Sequence, residues 1–130
     1  MKIHQSAEDY LETILILRER KGSVRSIDVA GELGFSKASV SVAMKKLRES
    51  GYVLMDEDGL LTLTEAGQKI ASRIYARHRL LTEFFVRLGV DEKIAAADAC
   101  RIEHDISEET FSKLLEHAQR SAADTAQKDS

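Results

Sequence analysis

The chain has 130 residues, with 19 Lys and Arg against 22 Asp and Glu, a net charge of −3, one cysteine and no proline. That length suits one compact domain or two small lobes, and no apolar run approaches the ~20 residues needed to cross a bilayer. The slight acidity excludes a protein that coats nucleic acid indiscriminately but leaves room for a local basic face.

The opening Met1-Lys2-Ile3-His4-Gln5-Ser6 lacks the apolar core of a signal peptide. A single cysteine cannot form an internal disulfide, so the cytoplasm is the expected compartment. Ser6 is placed to cap a first helix carrying Tyr10, Leu11, Ile14, Leu15 and Leu17 at helical spacing and ending near Lys21-Gly22. Asp9 and Glu12 stand three apart in its first turns. Taken singly, each has an ordinary role beside the positive end of a helix.

A short helix follows, capped by Ser26, with Ile27, Ala30 and Leu33 expected inward and Gly34 ending it. Ser36 then opens a longer helix to Gly51, with Val40, Ala43, Met44 and Leu47 as its buried stripe. Two short helices joined by a tight glycine turn, the second longer, describe a helix-turn-helix. The outer face of the second helix offers Ser36, Lys37, Ser39, Ser41, Lys45, Lys46 and Arg48, with no acid before Glu49. Hydroxyls and cations without carboxylates suit a surface that approaches phosphates and base edges. Lys37, Ser39 and Val42 are the candidates for base contact, Val42 through a thymine methyl. Arg25, Ser26, Ser36, Ser41 and Lys45 are the candidates for phosphates. Tyr52–Met55 and Leu60–Leu63 then read as two strands joined at Asp58-Gly59, the wing of a winged helix, with an acidic tip.

Thr64 caps a long helix to about Leu88, with Ile70, Ile74, Leu81, Phe85 and Leu88 on one stripe and His78 between Ile74 and Leu81. Asp91 caps the next helix, which carries Cys100, Glu103 and His104 at i, i+3 and i+4 and stops near Asp105. On a helix those three share a face, and a thiolate, a carboxylate and an imidazole together can coordinate a divalent transition metal. Ser107 caps a last helix with Phe111, Leu114, Leu115 and Ala118 on its apolar side, and 120–130 reads as a flexible tail. The fold expected is mainly α: an N-terminal winged helix-turn-helix (1–64), then an all-helical metal-binding and dimerisation lobe (65–119). No phosphate loop or nucleophile elbow is visible, so no enzyme is expected.

Ligand-type side chains thus come from three helices: Asp9 and Glu12, His78, and Cys100, Glu103 and His104. Burying so many ionisable groups is costly unless they pair or bind metal. Ser6-Ala7-Glu8-Asp9-Tyr10-Leu11-Glu12, the Ser36–Gly51 helix, Leu63-Thr64-Glu65-Ala66-Gly67, Arg77-His78-Arg79-Leu80-Leu81 and Cys100-Arg101-Ile102-Glu103-His104 occur in collinear order over about residues 3–118. Together they resemble the diphtheria toxin repressor family, in its short manganese-transport-regulator-like branch.

The resemblance implies a DNA-binding repressor of metal-ion uptake genes. In that family homodimers bind palindromic double-stranded operators when Mn²⁺ or Fe²⁺ is bound, with the ligands falling on the six residues above. The Asp9/Glu12 pair looks like the manganese-sensing branch and Cys100 like the iron-sensing one. Thr82 and Ala96 stand where the iron branch supplies ancillary ligands, and the chain stops where many iron-sensing members continue into an SH3-like domain. Mn²⁺ is the expected ion, Fe²⁺ the alternative, with Zn²⁺ or Co²⁺ binding in vitro. The competing expectation is a winged-helix transcription factor without metal sensing, whose acids and histidines are structural.

Overall fold

The computed structural model describes residues 5–128. Met1–His4, where the absence of a leader core is read, and Asp129–Ser130, the end of the expected tail, lie outside the described residues. The elements in order are α1 (Gln5–Lys21), α2 (Ser26–Leu33), α3 (Lys37–Glu49), β1 (Val53–Met55), β2 (Leu61–Leu63), α4 (Glu65–Arg87), α5 (Glu92–Ile102) and α6 (Glu108–Lys128). Among the described residues no helix is long and apolar enough to cross a membrane. The chain divides into two compact units, the first ending at Ile74 and the second beginning at Tyr75, inside α4.

The first unit is a winged helix. Leu11, Ile14 and Leu17 of α1, Val29 and Ala30 of α2, Val40, Met44 and Leu47 of α3, and Val53 and Leu61 of the hairpin are buried together. Each large side chain of this kind contributes about 1.5–3 kcal/mol on leaving water. The glycine between α2 and α3 is required by the backbone, because Gly34 adopts φ 71°, a left-handed conformation that closes α2. Its N–H reaches back to the Ala30 carbonyl. Ser36 caps α3 by accepting from the Ser39 N–H at 3.1 Å. β1 and β2 pair antiparallel with Val53 opposite Leu63. Asp56 Oδ1 accepts from the N–H groups of Asp58 and Leu60, both at 2.9 Å, which fixes the turn.

The wing carries a third strip of backbone that local pattern does not announce. Leu61 N–H donates to the Val24 carbonyl at 2.7 Å, and Arg25 bridges to Leu60. The segment between α1 and α2 is therefore pinned to β2. The first turns of α4 also pack on this unit, where Thr64 Oγ1 donates to the Gly51 carbonyl at 2.7 Å and accepts from the Gly67 N–H at 3.1 Å. Arg73 Nη2 pairs with Glu8 at 3.1 Å. The packing division thus falls inside α4, not at its start.

Several local expectations are corrected. Ser6 lies inside α1, which already includes Gln5. The cap of α2 is Arg25, one residue before Ser26, because Asp28 accepts the Arg25 N–H at 2.9 Å. Ile27 is 55% exposed, and Val29 is buried in its place. Val29, Ala30 and Leu33 form the inward face of this short helix, and a residue two before Val29 is turned about 200° away.

Asp28 also predicts a pH effect. The hydrogen bond from Lys21, then that from the Arg25 N–H, hold its carboxyl below the usual 3.8. A carboxyl lowered by folding adds stability above its unfolded value and loses it as pH falls through the folded one. The stability gap between wild type and Asp28→Asn is expected to be full at neutral pH and to close below about pH 4. Urea unfolding followed by circular dichroism across that range measures it.

In the second unit Leu81, Ala95 and Ala99 are buried. Asp91 caps α5 by accepting from the Lys93 N–H at 3.1 Å, and Ser107 caps α6 by accepting from the Thr110 N–H at 3.1 Å. α4 stops at Arg87 and Gly89 turns at φ 104°, so Leu88 has left the helical stripe and is 67% exposed. α6 continues to Lys128, past the start of the expected tail at residue 120. No glycine or proline interrupts the sequence after Ser107, and its alanines, Gln127 and Lys128 favour helix.

Candidate metal centre and nucleic-acid interface

In the first unit α1 sets Asp9 and Glu12 three residues apart, which brings their side chains to neighbouring positions on the helix. Glu12 is buried and Asp9 half-buried. Two carboxylates so close, one out of water, are costly unless a cation or donor balances them.

In the second unit α4 supplies His78, and the end of α5 supplies Glu103 and His104. Glu103 is the C-cap of α5, still in the helical region at φ −60° and ψ −26°, and it is 0% exposed. His78 Nδ1 lies 2.9 Å from Glu103 Oε2. His104 Nε2 lies 3.4 Å from Glu103 Oε1. A single buried carboxylate is therefore flanked by an imidazole nitrogen on each oxygen. Carboxylate oxygens and imidazole nitrogens are donors that Mn²⁺ and Fe²⁺ accept, so the residues present fit a divalent ion.

Cys100 differs from these residues in its exposure. It is exposed, although sequence spacing sets it on the face of Glu103 and His104. The buried stripe of α5 runs Ala95, Ala99, Glu103, at i, i+4 and i+8. Cys100 stands one residue round from Ala99, at the edge of that stripe, and the helix ends at Ile102 before His104.

Six of the eight DNA candidates lie on α3 or at its cap. Ser36, Lys37, Ser39, Ser41, Val42 and Lys45 are all exposed, while Val40, Met44 and Leu47 face the core. Val42 is 56% exposed, so it faces solvent in place of packing. Ser36 Oγ donates to Ser39 Oγ at 2.9 Å, which leaves Ser39 its own hydroxyl hydrogen for an outside acceptor. Arg25 is exposed on its bridged strip, and Ser26 is half-buried at the start of α2. Lys21 is paired with Asp28 at 2.8 Å, and Arg20 with Glu32 at 3.2 Å.

One residue of the centre was not singled out from the sequence. Arg77, next to His78, is buried against the α5–α6 turn. Its signal was a charged residue three after Ile74 and four before Leu81, on the apolar stripe itself.

A winged helix whose second helix carries no acid before Glu49, followed by a helical unit holding a buried carboxylate between imidazoles, defines a metal-responsive DNA-binding regulator as the class of protein. Residues 2–61 match "Iron dependent repressor, N-terminal DNA binding domain", and residues 64–128 match "Iron dependent repressor, metal binding and dimerisation domain". The chain belongs to this family, the diphtheria toxin repressor family that its motifs resemble; its members are transcriptional regulators, not enzymes. It is 36% identical over 123 residues to the HTH-type transcriptional regulator MntR of Bacillus subtilis, covering 95% of this chain and 87% of that protein. The crystal structure of T. acidophilum IdeR superposes with a TM-score of 0.78 at 26% identity, covering 92% of this chain and 55% of that one. The structure of the manganese regulator SloR gives 0.76 at 30%, covering 92% and 55%. The chain thus spans about half the length of those two structures.

Proposed function

We propose that the chain is a cytoplasmic, homodimeric repressor of metal-ion uptake genes that binds a palindromic operator when Mn²⁺ is bound, with Fe²⁺ the alternative ion. The observation that carries this is the wholly buried Glu103 carboxylate between His78 Nδ1 and His104 Nε2. In this reading Asp9, Glu12, His78, Glu103 and His104 hold the ion. Cys100 joins them as a thiolate. Residues 1–64 read DNA and contribute Asp9 and Glu12, and 65–119 supply the other ligands and hold the second subunit. Val86, Leu88, Ile94, Ile102 and Leu115 of the second unit are exposed in the single chain, an apolar surface of the kind that a partner covers.

The ion supplies positive charge and preferred coordination, and it acts only through the difference in its affinity for binding-competent and incompetent arrangements. In the competent dimer the two α3 helices address half-sites about 34 Å apart. Lys37, Ser39 and Val42 touch base edges, while Arg25, Ser26, Ser36, Ser41 and Lys45 hold phosphates.

The test is anaerobic titration of chelator-treated protein with Mn²⁺, Fe²⁺ and Zn²⁺ while following binding to palindromic DNA from its own organism's metal-transporter promoters. The expected result is tight binding only with metal, with Mn²⁺ effective below the Fe²⁺ concentration required. Tight binding indifferent to chelator would leave a winged-helix regulator without metal sensing. In the same assay Lys37→Glu is expected to weaken binding about tenfold or more through lost attraction and new repulsion at the phosphates. Folding should be undisturbed, because Lys37 opens α3 and an acid there complements the helix dipole. Unchanged affinity would remove α3 from the interface.

A further inference from the structure

Arg77 and His78, adjacent on α4, both reach the same residue. Arg77 is 5% exposed. Its Nη1 donates to the Glu103 carbonyl at 3.0 Å and to the Ile106 carbonyl at 2.8 Å. Its Nη2 donates to the Glu108 carboxylate, and its Cζ lies 5.2 Å from the Phe111 ring centroid. A guanidinium so placed differs from a surface ion pair: its donors go to main-chain carbonyls of the turn between α5 and α6.

The first is the carbonyl of the α5 C-cap, where no further turn of helix supplies a donor, and the second lies just before Ser107, which caps α6. The positive charge also complements the negative end of the α5 dipole. Arg77 therefore fixes the main chain of Glu103, while His78 meets the carboxylate of the same residue. Glu103 is gripped at both ends by consecutive residues of one helix, and His104 follows it in the same turn.

We propose that Arg77 is a positioning residue for the metal centre, holding the α5–α6 turn so that the donor atoms of Glu103 and His104 keep the spacing an ion requires. The inference rests on Glu103 and His104 being metal ligands. Arg77 does not touch the ion. Its planar fork serves two carbonyls and a carboxylate at once, which a lysine ammonium on a flexible stem cannot reproduce.

The test uses Arg77→Lys, which keeps the charge and loses the fork. Mn²⁺ affinity is read by electron paramagnetic resonance of the free ion, at a temperature where circular dichroism finds each protein fully folded. The Kd is expected to rise about 10- to 100-fold, the usual effect of removing a group that orients ligands. A merely structural role would lower the melting temperature of the metal-free protein and leave the Kd of the folded protein unchanged, which would overturn the inference. Glu108→Ala removes the outer hold on the guanidinium and is expected to raise the Kd about tenfold; it decides the matter if Arg77→Lys does not fold. Wild type that fails to bind Mn²⁺ would overturn the metal reading and this inference with it. Wild type that binds, with the folded variants at the wild-type Kd, would overturn this inference alone.

Discussion

A Glu103→Gln protein is expected to fold at least as well as wild type and to lose its metal response. The carboxylate is fully buried and its two oxygens face His78 Nδ1 and His104 Nε2. Glutamine has the same shape, keeps a carbonyl oxygen and an amide for these two neighbours, and removes the buried negative charge. Without an ion that charge is a burden, since burying an ionised carboxylate costs several kcal/mol unless it is compensated. With an ion it is the strongest electrostatic attraction in the second unit's set. The two measurements should therefore move in opposite directions. Urea unfolding of the metal-free variant is expected at an unchanged or higher midpoint, and Mn²⁺ affinity is expected to fall about 100-fold or more, beyond the range of supporting residues. An operator titration that responds to Mn²⁺ as wild type does would remove Glu103 from the centre. Loss of both folding and response would make its role structural.

The second large effect is on folding. A Cβ added at Gly67 would lie 2.1 Å from the Tyr52 carbonyl oxygen and 3.1 Å from its carbon. Both are backbone atoms, and that oxygen already accepts the Thr64 N–H at 3.0 Å. No rotamer change relieves the clash, so α4 must lift from the end of α3 and the start of the wing. Gly67→Ala is expected to cost about 2–4 kcal/mol, after the gain of about 1 kcal/mol that alanine brings to a helix. Gly31→Ala is the control. It also lies within a helix, its Cβ meets nothing within 4 Å, and its φ is not positive. It should stabilise by about 0.5–1 kcal/mol. Equal effects at the two positions would mean that helix propensity, not the close approach to Tyr52, sets the outcome.

What the sequence made legible was written in short-range chemistry. Ser36, Thr64, Asp91 and Ser107 announce helix starts because a side-chain oxygen accepts an N–H two or three residues on, and all four do so. The buried stripe of α3 follows from a period that needs no knowledge of its neighbours. The failures lie where neighbouring residues compete for one role or where a distant strand decides. Ile27 is outward because Val29 and Ala30 win the core, and a helix as short as α2 presents two faces of similar apolarity. Arg25 displaces Ser26 as cap because Asp28 binds its N–H. The bridge from Arg25 to Leu60 joins segments that no local pattern connects.

The candidate centre divides the same way. His78, Glu103 and His104 lie side by side, while Cys100 is exposed at the edge of the stripe that α5 buries through Ala95 and Ala99. Arg77 was hidden in plain view on the apolar stripe of α4, where the neighbouring histidine drew attention. Two of its partners are main-chain carbonyls, which carry no sequence signature.

In the proposed DNA interface, the strip beside β2 bears on the thermodynamics of docking. Arg25 has its N–H held by Asp28, its carbonyl accepts from Asp28 and Val29, and its backbone bridges to Leu60. An arm that ordered only on contact would give up about 1–2 kcal/mol of backbone freedom per residue. Here only the rotamers of one side chain remain to be fixed, about 2 kcal/mol at most. Preorganisation of this kind removes a slow ordering step from encounter. The association rate should accordingly be governed by diffusion and electrostatic steering, and fall steeply as salt is added.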